Sequence, residues 1–333
     1  MPALQVARIP RCDPARFARI EAGLLAKGPP RAILVLAGLG EPVLLVGRHQ
    51  RAASSVDVRA ASAAGLRVAR RAGGGRGLVI GDGVAGVFLW VPPGEPLAPP
   101  VPPDRWLHRY VRGLLGGLRA AGARGAAWLG RDFVAVDGRQ LAIVSQEGTA
   151  AGGVALEAFV SLGRPLAVPH PYTRYPRDRD PRTAGPRPVT LAEVAGRAVG
   201  FDALAAAIEQ GYAAASDREP VPAEGILPEA ELPPVEEDEA GLRASALHGV
   251  PGGFVEALVR SEGGRIGGAR IRGDLIAASF GLAALEADLE GSPVDSVEIG
   301  RRVDAALRRP HAFVHCARAP QVLVDAVLEA ATA

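Results

Sequence analysis

The sequence predicts an α/β protein in two parts, a large domain over residues 1–216 and a smaller α+β domain over residues 240–333. Its 333 residues exceed one average domain and suit one large domain plus a small one. Helix-period segments and short apolar runs of strand length alternate along the first two thirds of the chain. Residues 217–239 are acidic, proline-rich and weakly apolar, the composition of an interdomain linker.

Taken in order, Asp13-Pro14 supplies an N-cap carboxylate followed by proline at the first helical position, and opens an amphipathic helix through about Leu25. Gly28-Pro29-Pro30 ends it. Apolar runs at residues 32–37 and 42–46 flank Gly38-Leu39-Gly40 and read as a hairpin buried on both faces. A short helix is expected over residues 56–64, then a strand over 66–70 that runs into a glycine loop, with another strand over 87–91 beyond it. After the proline-rich stretch 92–103, Asp104 is expected to cap a long helix to about Ala121. Residues 133–144 read as two strands joined by Asp137-Gly138, a type I′ turn signal, and residues 154–162 as a further strand. Residues 165–188 are rich in proline, arginine and aspartate and show neither period, so a long solvated surface loop is expected, with a lid or partner-binding loop as the alternative. A helix over 201–215 ends the first domain. Beyond the linker, runs at 254–259 and 265–271 flank Gly263-Gly264 as a hairpin, and three amphipathic helices follow.

Lys+Arg 38 against Asp+Glu 36 leaves a formal charge of +2, and Lys27 is the only lysine. Arginine replaces lysine freely at a solvated face but not where a mechanism needs an ammonium group. The arginines are spread along the chain rather than interleaved with aromatics, which argues against a nucleic-acid partner. Residues 1–19 carry charges throughout, so no signal peptide is expected, and no uncharged apolar run is long enough for a membrane partner. Cys12 and Cys316 lie at opposite ends without CxxC spacing, which suggests no disulfide framework, no thiolate metal site and a reducing, cytoplasmic location.

The first element with chemical content is Arg70-Arg71-Ala72-Gly73-Gly74-Gly75-Arg76-Gly77 between two strands. Consecutive glycines let backbone N–H groups approach a carboxylate or phosphate closely, and flanking arginines add charge-assisted bonds. The loop lacks the Gly-Lys-Ser/Thr ending of a P-loop. Around it stand Val46-Gly47-Arg48-His49-Gln50 upstream, then Gly130-Arg131-Asp132-Phe133-Val134 and Val136-Asp137-Gly138-Arg139 downstream. In that order and spacing the set resembles the lipoate-protein ligase family. The helix Phe17 to Leu25 with Glu21 in its middle resembles that family's first helix, and Gly264-Arg265-Ile266 through Arg272-Gly273-Asp274 its accessory domain.

The resemblance implies a central mixed β-sheet with flanking helices, as in biotin and lipoate ligases, plus a small accessory domain. It implies lipoate or another acyl group, ATP and Mg2+ as reactants, with an acyl-adenylate formed first. Lipoyl domains of dehydrogenase E2 or glycine-cleavage H type are the implied acceptors of the acyl group. On it, Gly73, Gly74 and Gly75 match the acyl-binding glycines, Arg70 the arginine before them, and Asp132 an acidic residue on the nucleotide side. Departures are equally specific. Ala72 stands where the family has serine, Val79-Ile80 where it has histidine and aspartate, and the strand 154–162 lacks its histidines. Asp82 compensates only in a rearranged loop. Gln140 occupies the catalytic lysine position and Ile143 a glycine position. Glutamine is neutral and cannot offset adenylate charge, so adenylate formation is expected to be negligible. Arg139 points to the opposite strand face and would need a one-residue register slip to replace the lysine.

Other chemistry is weaker. Ser145 has no histidine near it in sequence to activate it, and neither cysteine matches the position of a related octanoyltransferase nucleophile. His311 and His315 are four apart beside Cys316, but Pro310 and Phe313-Val314 favour an ordinary turn or helix start, and no metal is expected. His49 reads equally as a pocket residue or a hydrogen-bonded structural one. Two function classes follow: a ligase that attaches an acyl group to lipoyl-domain lysines, with arginine supplying the charge, or a catalytically inactive relative that binds the acyl group or a lipoyl domain. A related acyltransferase is a third.

Overall fold

The computed structural model describes residues 3–94, 101–315 and 320–333. The chain runs β1 (Ala3–Cys12), α1 (Pro14–Lys27), β2 (Ile33–Leu39), β3 (Val43–Val46), α2 (Ala52–Ser55), α3 (Val58–Ala63), β4 (Arg67–Arg70), β5 (Leu78–Ile80) and β6 (Val84–Val91). It continues through α4 (Trp106–Ala120), β7 (Ala127–Trp128), β8 (Phe133–Val136), β9 (Arg139–Gly148), β10 (Val154–Ser161), α5 (Leu191–Ala195), α6 (Phe201–Ser216) and β11 (Glu219–Pro222). The remainder is β12 (Arg243–Ala244), β13 (His248–Val250), β14 (Gly253–Glu262), β15 (Arg265–Gly273), β16 (Ile276–Ala277), α7 (Ser279–Leu289), α8 (Ser296–Leu307), β17 (Val314–His315) and α9 (Gln321–Thr332).

The central sheet has eight strands in the order β11-β1-β2-β6-β10-β9-β8-β7. β11, β1 and β2 are parallel and the rest antiparallel, so the sheet is mixed. Both faces are covered, which is why its central strands read as continuous apolar runs. Leu34, Leu36, Val87 and Leu89 turn to one face, beneath Leu107, Leu114 and Ile208 of α4 and α6. Ile33, Val35, Phe88 and Trp90 turn to the other, beneath Phe17, Ile20 and Leu24 of α1. The cap on α1 is as its sequence predicts: Asp13 accepts from the Arg16 amide, and Gly28 ends the helix in the left-handed region.

Apolar runs 32–37 and 42–46 do not pair as a hairpin. β2 lies between β1 and β6 of the large sheet, whereas β3 heads a separate three-stranded sheet with β4 and β5. The reason is β1: its arginines hide the strand from a hydrophobicity reading, yet it takes the edge of β2 that a hairpin partner would need. Downstream, Asp137 and Gly138 adopt φ of 50° and 73°, the type I′ turn, and β8 pairs with β9. β14 and β15 form the expected hairpin, on which α7 and α9 pack around Val255, Ile271, Leu285 and Val327. Asp104 lies in a short 3-10 turn just before α4 and makes no side-chain cap.

The stretch 217–239 carries β11 at its start and then runs along the surface of the first part. Glu229 pairs with Arg16 and Arg19, Pro228 packs on Gly23, and Glu237 pairs with Arg272. Residues 240–333 meet the glycine loop directly, through Leu275 and Ile276 at the start of β16.

Candidate functional site

The glycine loop follows β4 and lies over the α1-covered face of the large sheet. Its geometry depends on having no side chains. A Cβ at Gly73 would sit 2.3 Å from Glu157 Oε2, and one at Gly74 2.2 Å from the Leu275 carbonyl oxygen. Three motifs far apart in sequence converge here. The Arg48 amide donates to Gly73 O at 3.0 Å, Ser145 Oγ donates to Gly74 O at 3.1 Å, and the Gly75 amide donates to Leu275 O at 2.8 Å.

Under the loop lies a buried charge cluster. Arg71 donates to Glu157 Oε2 through Nη1 and to Arg76 O through Nη2, and its face covers the Phe159 ring. Glu157 sits on β10 directly opposite Ser145 of β9, with its Oε2 on the Arg71 guanidinium. Arg71 therefore forms a carboxylate receptor beneath Gly73, and the carboxylate it holds is the chain's own. Glu21 of α1 meets Glu157 from the helix side and is fully buried. Burial and the neighbouring Glu157 charge push the Glu21 carboxyl well above its usual range, against the pull of Arg71. Burial also raises Glu157, with Arg71 opposing.

The positions matched to acyl and nucleotide chemistry divide into two groups. Arg70 is buried and points away from the glycines. Its Nη1 donates to the carbonyls of Gly47, Arg48 and Gln50, its Nε and Nη2 to those of Pro234 and Val235. It clamps residues 47–50 to residues 234–235. Asp132, just before β8, and Gln140, near the start of β9, are instead bridged by a residue from the loop 165–188. Arg182 Nη1 donates to Asp132 Oδ1 at 2.7 Å and Nη2 to Gln140 Oε1 at 2.8 Å. Gln140 Nε2 donates to Leu166 O, and the Gln140 amide to Arg187 O.

The loop 165–188 is thus irregular but not solvated along its length. His170, Tyr175, Asp180 and Arg182 are all buried. Arg76, immediately after the third glycine, makes a bidentate pair with Asp180 at 2.7 and 2.6 Å, and Asp180 Oδ1 also accepts the Arg182 amide. A continuous polar chain, Arg76 to Asp180 to Arg182 to Gln140 and Asp132, therefore joins the glycine loop to the start of the β8–β9 hairpin. Sequence reasoning missed Glu157, Asp180 and Arg182. The available signals were a lone glutamate inside the apolar run 154–160 and the alternation of arginine with aspartate over 177–182.

Several weaker candidates resolve. Arg139 is exposed and reaches Pro188 O and Glu193, away from Gln140. His49 is buried, with Nε2 at 3.2 Å from Ala277 O; burial pushes its pKa down to about 3, so it is a neutral donor joining residues 47–50 to β16. Asp82 is exposed in the turn after β5. His311 stacks on Trp106 and His315 lies in β17 beside Phe313, not on one helix face; Cys316 lies outside the described residues. Among the described residues no cluster of metal-ligating side chains occurs, and no helix is long and apolar enough to cross a membrane.

No protein-family model matches the sequence, and no curated protein sequence matches it. Solved structures do. P. falciparum LipL1 in complex with lipoate superposes with a TM-score of 0.63 at 12% identity, over 91% of this chain and 94% of that one. A bipartite lipoate-protein ligase from T. acidophilum, solved with its E2 lipoyl domain, gives 0.54 at 14% identity over 66% and 87%. Lipoate-protein ligase A bound with ATP gives 0.53 at 12% identity over 66% and 87%. This chain has the lipoate-protein ligase fold. The match to LipL1 extends over nearly the whole chain. Within that fold, Gln140 stands on the second strand of the Asp137-Gly138 hairpin with a guanidinium bonded to its side-chain oxygen.

Proposed function

We propose that this chain binds lipoate or a related acyl group at the glycine loop and attaches it to lysines of lipoyl-domain proteins, with ATP and Mg2+ as co-reactants. In that reaction the acid's carboxylate oxygen attacks the α-phosphorus, the bond to the β-phosphate breaks, and pyrophosphate leaves with the electron pair. The acceptor lysine then displaces the nucleotide monophosphate from the acyl carbon. The single observation that supports this reading is the polar chain from Arg76 through Asp180 and Arg182 to Gln140 and Asp132, which brings a permanent cation to Gln140, the residue that the resemblance matches to a lysine. Catalysis of this kind is positioning plus charge neutralisation, which a guanidinium supplies.

A second reading, an acyl-binding relative without turnover, is favoured by a different fact. The Gly75 amide already bonds to Leu275 O, and the Glu157 carboxylate already occupies the Arg71 guanidinium beneath Gly73. An acid entering there has to displace the Glu157 carboxylate from Arg71. Calorimetric titration with lipoate and with octanoate, beside a pyrophosphate-release assay with MgATP, separates the two. Saturable acid binding with acid-dependent pyrophosphate supports the ligase, and binding without pyrophosphate supports the second reading. No binding of either acid removes both.

A further inference from the structure

Two features at opposite edges of the large sheet have complementary chemistry. The first lies along α4, which carries Arg109, Arg112 and Arg119 and no carboxylate. Among the described residues none of the three has an ion-pair partner. In α8, by comparison, Arg301 and Arg302 pair with Glu298 and Arg308 with Asp304. A hollow of about 330 Å³ opens between α4 and β7, with Val111, Leu115 and Trp128 as its apolar lining and Arg112 and Arg119 as its charges. Leu129, next after Trp128, is 74% exposed.

The second feature is the bend after β11. Ile226 is 96% exposed there, beside Gly225 with its φ of 75°. Glu224 and Glu231 flank it, exposed and, among the described residues, without an ion-pair partner. The bend is anchored rather than trailing: Pro228 packs on Gly23 and the Ala230 amide donates to Arg19 O. A single exposed apolar residue is ordinary; its surroundings distinguish this one. At one edge an apolar side chain stands among free carboxylates, and at the other an apolar hollow stands among free guanidiniums, the centre-and-rim chemistry of a protein interface. The two cannot meet within one molecule. β11 and β7 are the outermost strands of the eight-stranded sheet, which at about 4.8 Å per strand sets them roughly 30 Å apart.

We propose that the occupant of the α4 hollow is a second copy of this chain, which inserts Ile226 there and sets Glu224 and Glu231 against Arg112 and Arg119. The two surfaces differ, so the contact is heterologous. Each molecule offers a hollow at one edge of its sheet and a knob at the other, and copies join head to tail instead of pairing about a two-fold axis. The proposal stands independently of the acyl-ligase reading.

The test is analytical sedimentation of the full chain across a concentration series at low salt. The mean mass of wild type is expected to rise with concentration past that of a dimer, and to fall back toward the monomer in about 0.5 M salt, because the rim of the contact is ionic. Arg112→Glu and Ile226→Asp, both at exposed positions, are each expected to weaken self-association at least tenfold. Mixed in equal amounts, the two variants regain one intact contact, Ile226 of the Arg112→Glu chain in the hollow of the Ile226→Asp chain. The mixture is therefore expected to give a heterodimer and nothing larger. A wild type that is monomeric throughout the series overturns the proposal, as does a mixture that stays monomeric or an association that neither substitution weakens. A monomeric wild type that binds an E2 lipoyl domain or a single-stranded oligonucleotide through Arg112 gives the hollow another occupant, which equally overturns it.

Discussion

Arg71 and Glu157 form an ion pair with both side chains buried, directly beneath Gly73. The pair, not the glycine alone, sets what residue 73 can be. A Cβ there would lie 2.3 Å from Glu157 Oε2 and 3.0 Å from Ser145 Oγ, so Gly73→Ala has to push the carboxylate off the guanidinium. Breaking a buried pair leaves an uncompensated charge and costs about 3–5 kcal/mol. Gly73→Ala is therefore expected to lose about 3 kcal/mol in urea unfolding, on the low side of that range because the backbone can give a little. An unchanged midpoint would show that Glu157 moves away at no cost.

Glu21 gives a prediction whose sign follows from linkage. Its folded pKa is raised, so protonation is favoured in the folded state and its contribution is fully present below the ordinary glutamate range. That contribution is lost as pH rises through the folded value. Glu21→Gln keeps a hydrogen-bond donor facing Glu157 and removes the titration. The variant is expected to match wild type at pH 4 and to exceed it by about 1 kcal/mol at pH 8, the size of an ordinary single-substitution effect. Denaturant midpoints at the two pH values decide it, and equal gains at both would contradict the upward shift of Glu21.

Local signals in the sequence carried the elements that local chemistry determines. Asp13-Pro14 and Gly28 bound α1, and Asp137-Gly138 turns β8 into β9. What escaped was pairing set at a distance. β1 carries Arg8 and Arg11 and becomes a strand because β2 and β11 flank it, and β2 and β3 enter different sheets for the same reason. The loop 165–188 escaped for a related cause. Its arginines and aspartates read as solvated, and only the fold brings Arg76 to Asp180 and Arg182 to Asp132. A charge looks like a surface residue until its partner is known.

Arg70 makes a contrast with Arg182, since every nitrogen it has is bonded to backbone. Five carbonyls, three from residues 47–50 and two from residues 234–235, accept from it. Lysine has three donors on one atom and cannot span both segments. Arg70→Lys is expected to lose about 2 kcal/mol of stability, the cost of one or two orphaned buried acceptors, and to leave lipoate affinity within twofold of wild type. A large loss of acid affinity at unchanged stability would instead put Arg70 in contact with the ligand.

Gln140→Lys tests whether the site was rebuilt around glutamine or merely lost a lysine. The new ammonium can still donate to Leu166 O, but it removes the acceptor for Arg182 Nη2 and sets two cations about one hydrogen-bond length apart in a buried site. Only Asp132 is there to offset both. The single variant is expected to be destabilised by about 2 kcal/mol, as for other unpaired buried charges. In Gln140→Lys/Arg182→Gln the ammonium has Asp132 to itself, so the double variant is expected to be more stable than the sum of the singles by about 1–3 kcal/mol. Four urea titrations close this cycle. Additivity within about 0.5 kcal/mol would mean that Gln140 and Arg182 do not sense each other, and the cation would then have no claim to the lysine's place.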